Sequence, residues 1–281
     1  MATAGAEAAA RVAEMVLSMP LPEYCERFLK IRTKTDGLAP FRFNVGQLYL
    51  HRRAELQLRR LGYVRLYLLK ARQWGGSTYI QARQFSKIVR DGRGLRAFIL
   101  THQAAATANI FSMTHRFLEH LPPWMQQDVY ESQKRIMFPK VDSSYAVATA
   151  GAKDIGHSDT VQLLHGSECA LWPNADEHLK GVLQTVPPQG DGTEIFLEST
   201  GKGIGNAFQK GYAAARAGMS DYETVFVPWI WFPRRMDGSY EYAAPVSNLE
   251  LSAADADYMD FWGLDEEQMQ DRKSTRLNSS H

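Results

Sequence analysis

The nine residues Lys70-Ala71-Arg72-Gln73-Trp74-Gly75-Gly76-Ser77-Thr78 constrain this chain more than any other stretch, because of what flanks them. On the N-terminal side, Tyr63-Val64-Arg65-Leu66-Tyr67-Leu68-Leu69 is an apolar, β-prone run that suits a buried strand. On the C-terminal side, Ile80, Phe85, Ile88 and Val89 predict a helix over 79–89, with Ser77 and Thr78 near its first turn. Strand, glycine loop and helix N-terminus in succession make an anion cradle. Loop N–H groups converge as a nest, and the helix dipole adds partial positive charge. The competing reading is a plain Gly-Gly turn between a strand and a helix.

Against the pattern G-x-x-x-x-G-K-[ST], Gly75 and Ser77 occupy the second glycine and the magnesium-binding hydroxyl. Lys70 replaces the first glycine, and Gly76 fills the lysine slot. The oxygens of a β,γ-diphosphate still need a cation. Arg72, with its planar fork, is the first choice, and Lys70 at the strand end is the second. A second signal lies at Thr160 to His165, an apolar run followed by Gly166-Ser167-Glu168. A carboxylate just past a buried strand is where a nucleotide hydrolase keeps the group that orients and deprotonates water. Glu168 is that candidate, against the alternative of a solvated turn residue. Ser167 stands where an aspartate commonly holds Mg²⁺ through water; a hydroxyl can hold that water but adds no charge.

A third strand is predicted at Thr193 to Leu197, running into Glu198-Ser199-Thr200-Gly201, and a fourth at Leu95 to Thr101, leading into a helix over 104–118. The hydroxyls of Ser199 and Thr200 suit a sensor of the γ-phosphate. Strands alternating with helices predict an α/β chain with a mostly parallel sheet, whose ligand binds at the carboxyl ends of the strands.

Taken together, Arg72 to Thr78, Leu164 to Trp172 and Val147 to Lys153 resemble the ATPase domain of the phage terminase large subunit, over about residues 40 to 235. The resemblance implies a P-loop NTPase fold of the RecA/ASCE type, with ATP and Mg²⁺ as ligands. It implies phosphate or metal contacts from Lys70, Arg72, Gln73, Gly75, Gly76, Ser77 and Thr78, with Ser167 on Mg²⁺ through water. Glu168 becomes the catalytic carboxylate, and Ser199-Thr200 the motif that couples hydrolysis to movement. Gln47, in the segment Pro40 to Gln47, falls on the adenine side. The family also uses an arginine on the transferring phosphoryl group, either Arg72 or one from a neighbouring subunit. The implied partners are double-stranded DNA, the portal protein, the terminase small subunit and further copies in a homo-oligomeric ring. The implied location is the cytoplasm of an infected bacterium and the portal vertex of the procapsid.

By organisation, residues 1–50 read as a helical N-terminal segment and 51–230 as the ATPase core. Residues 231–270 turn acidic and helix-prone, suiting a lid toward an RNase H-like nuclease domain that the family carries and this sequence does not reach. The last eleven residues, 271–281, resemble the in-frame translation of a sequencing-library adapter and are set aside as non-native. They hold three basic residues and one acid, so the chain's net charge of +1 becomes −1 for residues 1–270. No global basic excess of a static DNA binder is present. Local clusters at Arg52-Arg53, Arg59-Arg60, Arg90 to Arg96 and Arg234-Arg235 are either positive surface or solvated helix faces. No run of 18 apolar residues predicts a membrane span. Cys25 and Cys169 make no disulfide framework, and the histidines have no zinc spacing. Two other functions stay open. The missing loop lysine and missing aspartate suit a non-catalytic nucleotide- or DNA-binding scaffold, and the fold also suits a helicase-like ATPase.

Overall fold

The computed structural model describes residues 11–33, 37–90, 94–152, 160–188, 192–231 and 249–270. Arg234-Arg235, Lys153, residues 232–248 of the expected lid and the tail 271–281 lie outside the described residues. After a helical stretch at 11–18, the chain forms α1 (Leu21–Phe28), an antiparallel pair β1 (Lys30–Arg32) and β2 (Leu38–Pro40), and α2 (Val45–Leu61). Helix α2 starts in a reciprocal capping box between Asn44 and Gln47 and stops at left-handed Gly62. It therefore runs across the boundary expected at residue 50, and the N-terminal segment contains a small sheet as well as helices.

Strands and helices then alternate: β3 (Val64–Lys70), α3 (Gly76–Arg90), β4 (Arg96–Thr101) and α4 (Ala104–Glu119). Next come β5 (Tyr130–Glu131), β6 (Arg135–Phe138), β7 (Ser143–Thr149), β8 (Leu163–Ser167) and α5 (Ala175–Leu183). The remainder is β9 (Glu194–Ser199), α6 (Ala207–Arg216), β10 (Glu223–Val227) and α7 (Ala253–Trp262). Eight strands form one sheet in the order β10-β3-β9-β8-β4-β7-β6-β5. From β10 to β7 all neighbours are parallel; β6 and β5 extend the edge antiparallel. The α/β, mostly parallel architecture expected from the sequence is the one found.

Alternation along the central strands decides which helix covers which face. Leu66, Leu68 and Phe196 pack with Leu50 of α2 and Tyr79 and Ile80 of α3, while Tyr67, Ile195 and Leu197 pack with Leu179 of α5 and Phe208 of α6. Both faces of β3, β8 and β9 are covered, which is why they carry near-continuous apolar runs. A third cluster joins Phe85 of α3, Phe117 of α4 and Tyr145 of β7 over the other half of the sheet. Each fully buried aromatic or leucine there stabilises the fold by roughly 2–3 kcal/mol.

For the site, the decisive detail is strand order. Strand β9 lies between β3 and β8, with Glu198 in register with Leu68 on one side and Ser167 on the other. The carboxyl ends of all three strands therefore meet at one edge, and Glu198 sits in the middle.

Candidate active site

Helix α3 begins at Gly76, so Ser77 and Thr78 lie in its first turn. The loop before it turns through left-handed backbone at Gln73 (φ 59°) and Gly75 (φ 89°). A β-carbon at Gly75 would stand 2.6 Å from Gln47 Nε2, so glycine is required there by both conformation and space. Two side chains from the start of α2 brace the loop: Asn44 Nδ2 donates to the Trp74 carbonyl (2.8 Å) and Gln47 Nε2 to the Gly75 carbonyl (2.8 Å). Gln47 Oε1 also accepts the Asn44 backbone N–H (2.9 Å). Gln47 is buried, not surface, and its amide holds the loop in place. Trp74 packs beneath the loop, its ring close enough to Gly76 that a β-carbon there would stand 2.6 Å away.

Of the two basic candidates, Lys70 is the one that the fold brings to Glu168. It is buried at the end of β3, and its Nζ donates to Glu168 Oε1 at 2.7 Å. Burial alone would lower its pKa, but Glu198 and Glu168 outweigh that and raise it, so it stays an ammonium. Arg72 is exposed and makes no hydrogen bond or ion pair with the described residues. Gln73 is exposed. Thr78 is turned toward α4, its Oγ1 donating to Met113 Sδ at 3.8 Å.

Glu168 stands just past β8 with a left-handed backbone (φ 54°), a conformation costly for a non-glycine residue and frequent at functional positions. Strand β8 also includes Gly166 and Ser167, two residues beyond the predicted run. Glu168 Oε1 takes Lys70; Oε2 accepts from the Thr200 N–H (3.1 Å), Thr200 Oγ1 (3.2 Å) and Ser199 Oγ (3.4 Å). The sequence motifs at 70, 168 and 199–200 thus meet at one carboxylate.

Glu198 is the residue that sequence reasoning passed over. It is fully buried. Its Oε1 accepts from Ser77 Oγ, from Ser167 Oγ (3.2 Å) and from His165 Nε2 (3.0 Å). Tyr145 O–H donates to Gln81 Oε1, which leaves Gln81 Nε2 to donate to His165 Nδ1. That assignment places the His165 proton on Nε2, facing Glu198. Glu198 Oε2 has no hydrogen-bond partner, and Lys70 Nζ lies 4.0 Å away. Burial raises the Glu198 carboxyl, but Lys70 first, then His165 and Ser77, hold it down at about 2. Burial, Glu198 and Glu168 together push the Cys169 thiol far up, which keeps it an inert buried group.

Among the described residues no three His, Cys, Asp or Glu side chains gather as a metal cage. The donors at the loop suit Mg²⁺ all the same: hydroxyls at Ser77 and Ser167, and a buried carboxylate with one oxygen unpartnered. Mg²⁺ prefers few protein oxygens, the rest of its shell coming from water and substrate phosphates. The basic clusters are largely engaged elsewhere. Arg53 and Arg60 pair with Glu223, Arg90 donates to the carbonyls of Leu17 and Met19 (2.6 Å each), and Arg96 pairs with Asp142 (3.0 Å). No helix among the described residues is long and apolar enough to cross a membrane.

No family model matches the chain. Among solved structures it is similar to the large terminase of bacteriophage HK97, with TM-score 0.60 and 13% identity, over 92% of this chain and 52% of that one. It is also similar to the ATPase domain of the large terminase of Thermus phage P74-26, with TM-score 0.51 and 16% identity, over 68% of this chain and 82% of that one. At these identities what is shared is the fold. The chain spans about half the length of the HK97 protein.

Proposed function

We propose that this chain is the ATP-hydrolysing motor domain of a viral DNA-packaging terminase large subunit. The observation that carries the reading is the meeting of Lys70, Glu168, Ser199 and Thr200 beside the start of α3, in a fold shared with two large terminases. ATP would lie with its β- and γ-phosphates in the loop 70–78, facing the N-terminus of α3 and Ser77, with Gln47 on the adenine side. Gly75 and Gly76 let the backbone come close to the phosphates. Mg²⁺, when bound, neutralises charge building on the β,γ-oxygens, and Ser77 would hold it directly and Ser167 through water.

Lys70 has two calls on its charge. Its Nζ pairs with Glu168 Oε1 at 2.7 Å. A γ-phosphate carries more charge than a carboxylate, so Lys70 turns to it and releases Glu168 Oε1. That oxygen then takes a proton from a water aligned on the γ-phosphorus. The new P–O bond forms as the bond to the β,γ-bridging oxygen breaks, leaving ADP and inorganic phosphate. Glu168 Oε2 stays on Ser199 and Thr200, so the change at the γ-phosphate reaches the end of β9, which supports the coupling role of those residues. Arg72, exposed on the loop, or an arginine of a neighbouring copy in a head-to-tail ring, would stabilise the transferring phosphoryl group. In the full assembly the motor would push double-stranded DNA through the portal vertex into a procapsid in the host cytoplasm, with the terminase small subunit as a further partner.

Glu168→Gln tests this. ATP binding should persist while hydrolysis falls by about 10² or more, the usual share of a positioned general base. Equal turnover in variant and parent would sink the reading. Binding without turnover in both, with DNA present, would favour the scaffold alternative.

A further inference from the structure

The position before Glu168 carries a hydroxyl, so the pair Ser77 and Ser167 leaves the metal position without an anionic protein group. We propose that Glu198 supplies it: the metal-binding carboxylate of this site comes from β9, one strand over. The inference rests on the nucleotide-binding reading above.

Three observations converge. Glu198 lies between β3 and β8 by register, opposite Ser167 and Leu68, so its side chain is placed between the loop's helix and the Glu168 strand. Its Oε1 gathers both hydroxyls expected at the metal, Ser77 and Ser167. Its Oε2 is buried, without a hydrogen-bond partner, and faces the start of α3: a β-carbon at Gly76 would stand 3.1 Å from it. A buried carboxylate oxygen left without a donor is costly, and a site normally avoids it. Here a cation is the partner that fits. Lys70, at 4.0 Å, is too far to donate and is already on Glu168. The Tyr145–Gln81–His165 relay holds Oε1 through His165 Nε2, as outer partners of metal ligands do.

The test measures metal and nucleotide binding separately, using Mn²⁺ by electron paramagnetic resonance and ADP by calorimetry in excess chelator. In Glu198→Gln, an isosteric change, Mn²⁺ affinity in the presence of ADP should fall about tenfold or more. Metal-free ADP affinity should be unchanged or higher, since a negative charge near the phosphates has gone. Adding Ser167→Asp to Glu198→Gln returns a carboxylate to the site and should restore most of the Mn²⁺ affinity. If Glu198→Gln does not fold, Glu198→Asp keeps the charge beside Lys70 but shortens its reach, and should still weaken Mn²⁺ severalfold. Undiminished Mn²⁺ affinity in the folded variant, or equal losses of metal and metal-free ADP binding, overturns the proposal. A parent chain that takes up no ADP in chelator or in metal overturns instead the nucleotide reading on which it stands.

Discussion

Glu194 and Glu198 stand on the same face of β9, four residues apart, both fully buried and both against α3, yet they are held in opposite ways. Glu194 is paired with two cations. Arg83 grips it with two parallel hydrogen bonds (2.9 and 2.7 Å), Lys87 adds a third contact (2.6 Å), and Arg83 reaches on to Glu55 (2.6 Å). Glu198 meets hydroxyls and an imidazole on one oxygen and no hydrogen-bond donor on the other, Lys70 Nζ standing off at 4.0 Å. Between them Phe196 packs against Tyr79 of α3, with ring centroids 6.5 Å apart. One end of the strand–helix contact is a finished clamp that fixes β9 on α3. The other is an unfinished one, at the edge where the loop, Lys70 and Glu168 meet. The fully paired charge serves position, and the oxygen left over on Glu198 is the one proposed above to take a metal ion.

Breaking the finished end should cost the most stability. Arg83→Leu leaves Glu194 with Lys87 alone and should destabilise the fold by about 3–5 kcal/mol, read from urea denaturation. Arg83→Leu together with Glu194→Leu should recover most of that loss, because no uncompensated charge is left behind. Equal destabilisation of single and double variants would show that Arg83 acts through packing alone.

Acid sharpens the same contrast. Burial raises the Glu194 carboxyl, but Arg83 and then Lys87 hold it at about 2, well below its ordinary 4.5. A carboxyl depressed in the folded state contributes stability that is present above its unfolded pKa and lost as pH falls through the folded one. The window therefore opens below about pH 4.5 and extends down to about pH 2. Between pH 6 and pH 3 the double Leu variant should lose about 2 kcal/mol less stability than the parent, since it has one such carboxyl fewer. Parallel pH curves would contradict the ionised clamp.

The smallest effect is expected at the loop brace. Asn44→Ala removes the cap of α2 and the donor to the Trp74 carbonyl, costing about 1 kcal/mol. ADP binding should weaken severalfold at the same time. Lost stability with unchanged ADP affinity would confine Asn44 to capping.

The elements that position the site were legible because they are buried on both faces. The apolar runs around β3, β4, β8 and β9, and the helices after β3 and β4, were placed within a few residues. Strand β7 was hidden by its serines: Ser143 is buried yet satisfied, its Oγ donating to the Val141 carbonyl and accepting the Leu95 N–H (3.0 Å each). The short strands β5 and β6, and the edge strand β10, offer too few alternating residues to stand out. Glu198 was out of reach for a different reason. A glutamate at a strand end reads as loop polarity until the order β3-β9-β8 is known, and that order joins strands more than a hundred residues apart in sequence. Likewise, Lys70 and Arg72 are adjacent choices in sequence, and only the twist of the loop after β3 leaves one inside and the other in solvent.

The loop 70–78 and Glu168 are proposed to form one nucleotide site across β9. A structure of the chain with a non-hydrolysable ATP analogue and Mg²⁺ tests it most directly. The β,γ-phosphates are expected in the loop, with Lys70 Nζ moved from Glu168 onto the γ-phosphate and Glu168 Oε1 turned to a water. The analogue bound elsewhere, or Lys70 still 2.7 Å from Glu168 with the phosphates in place, would contradict it.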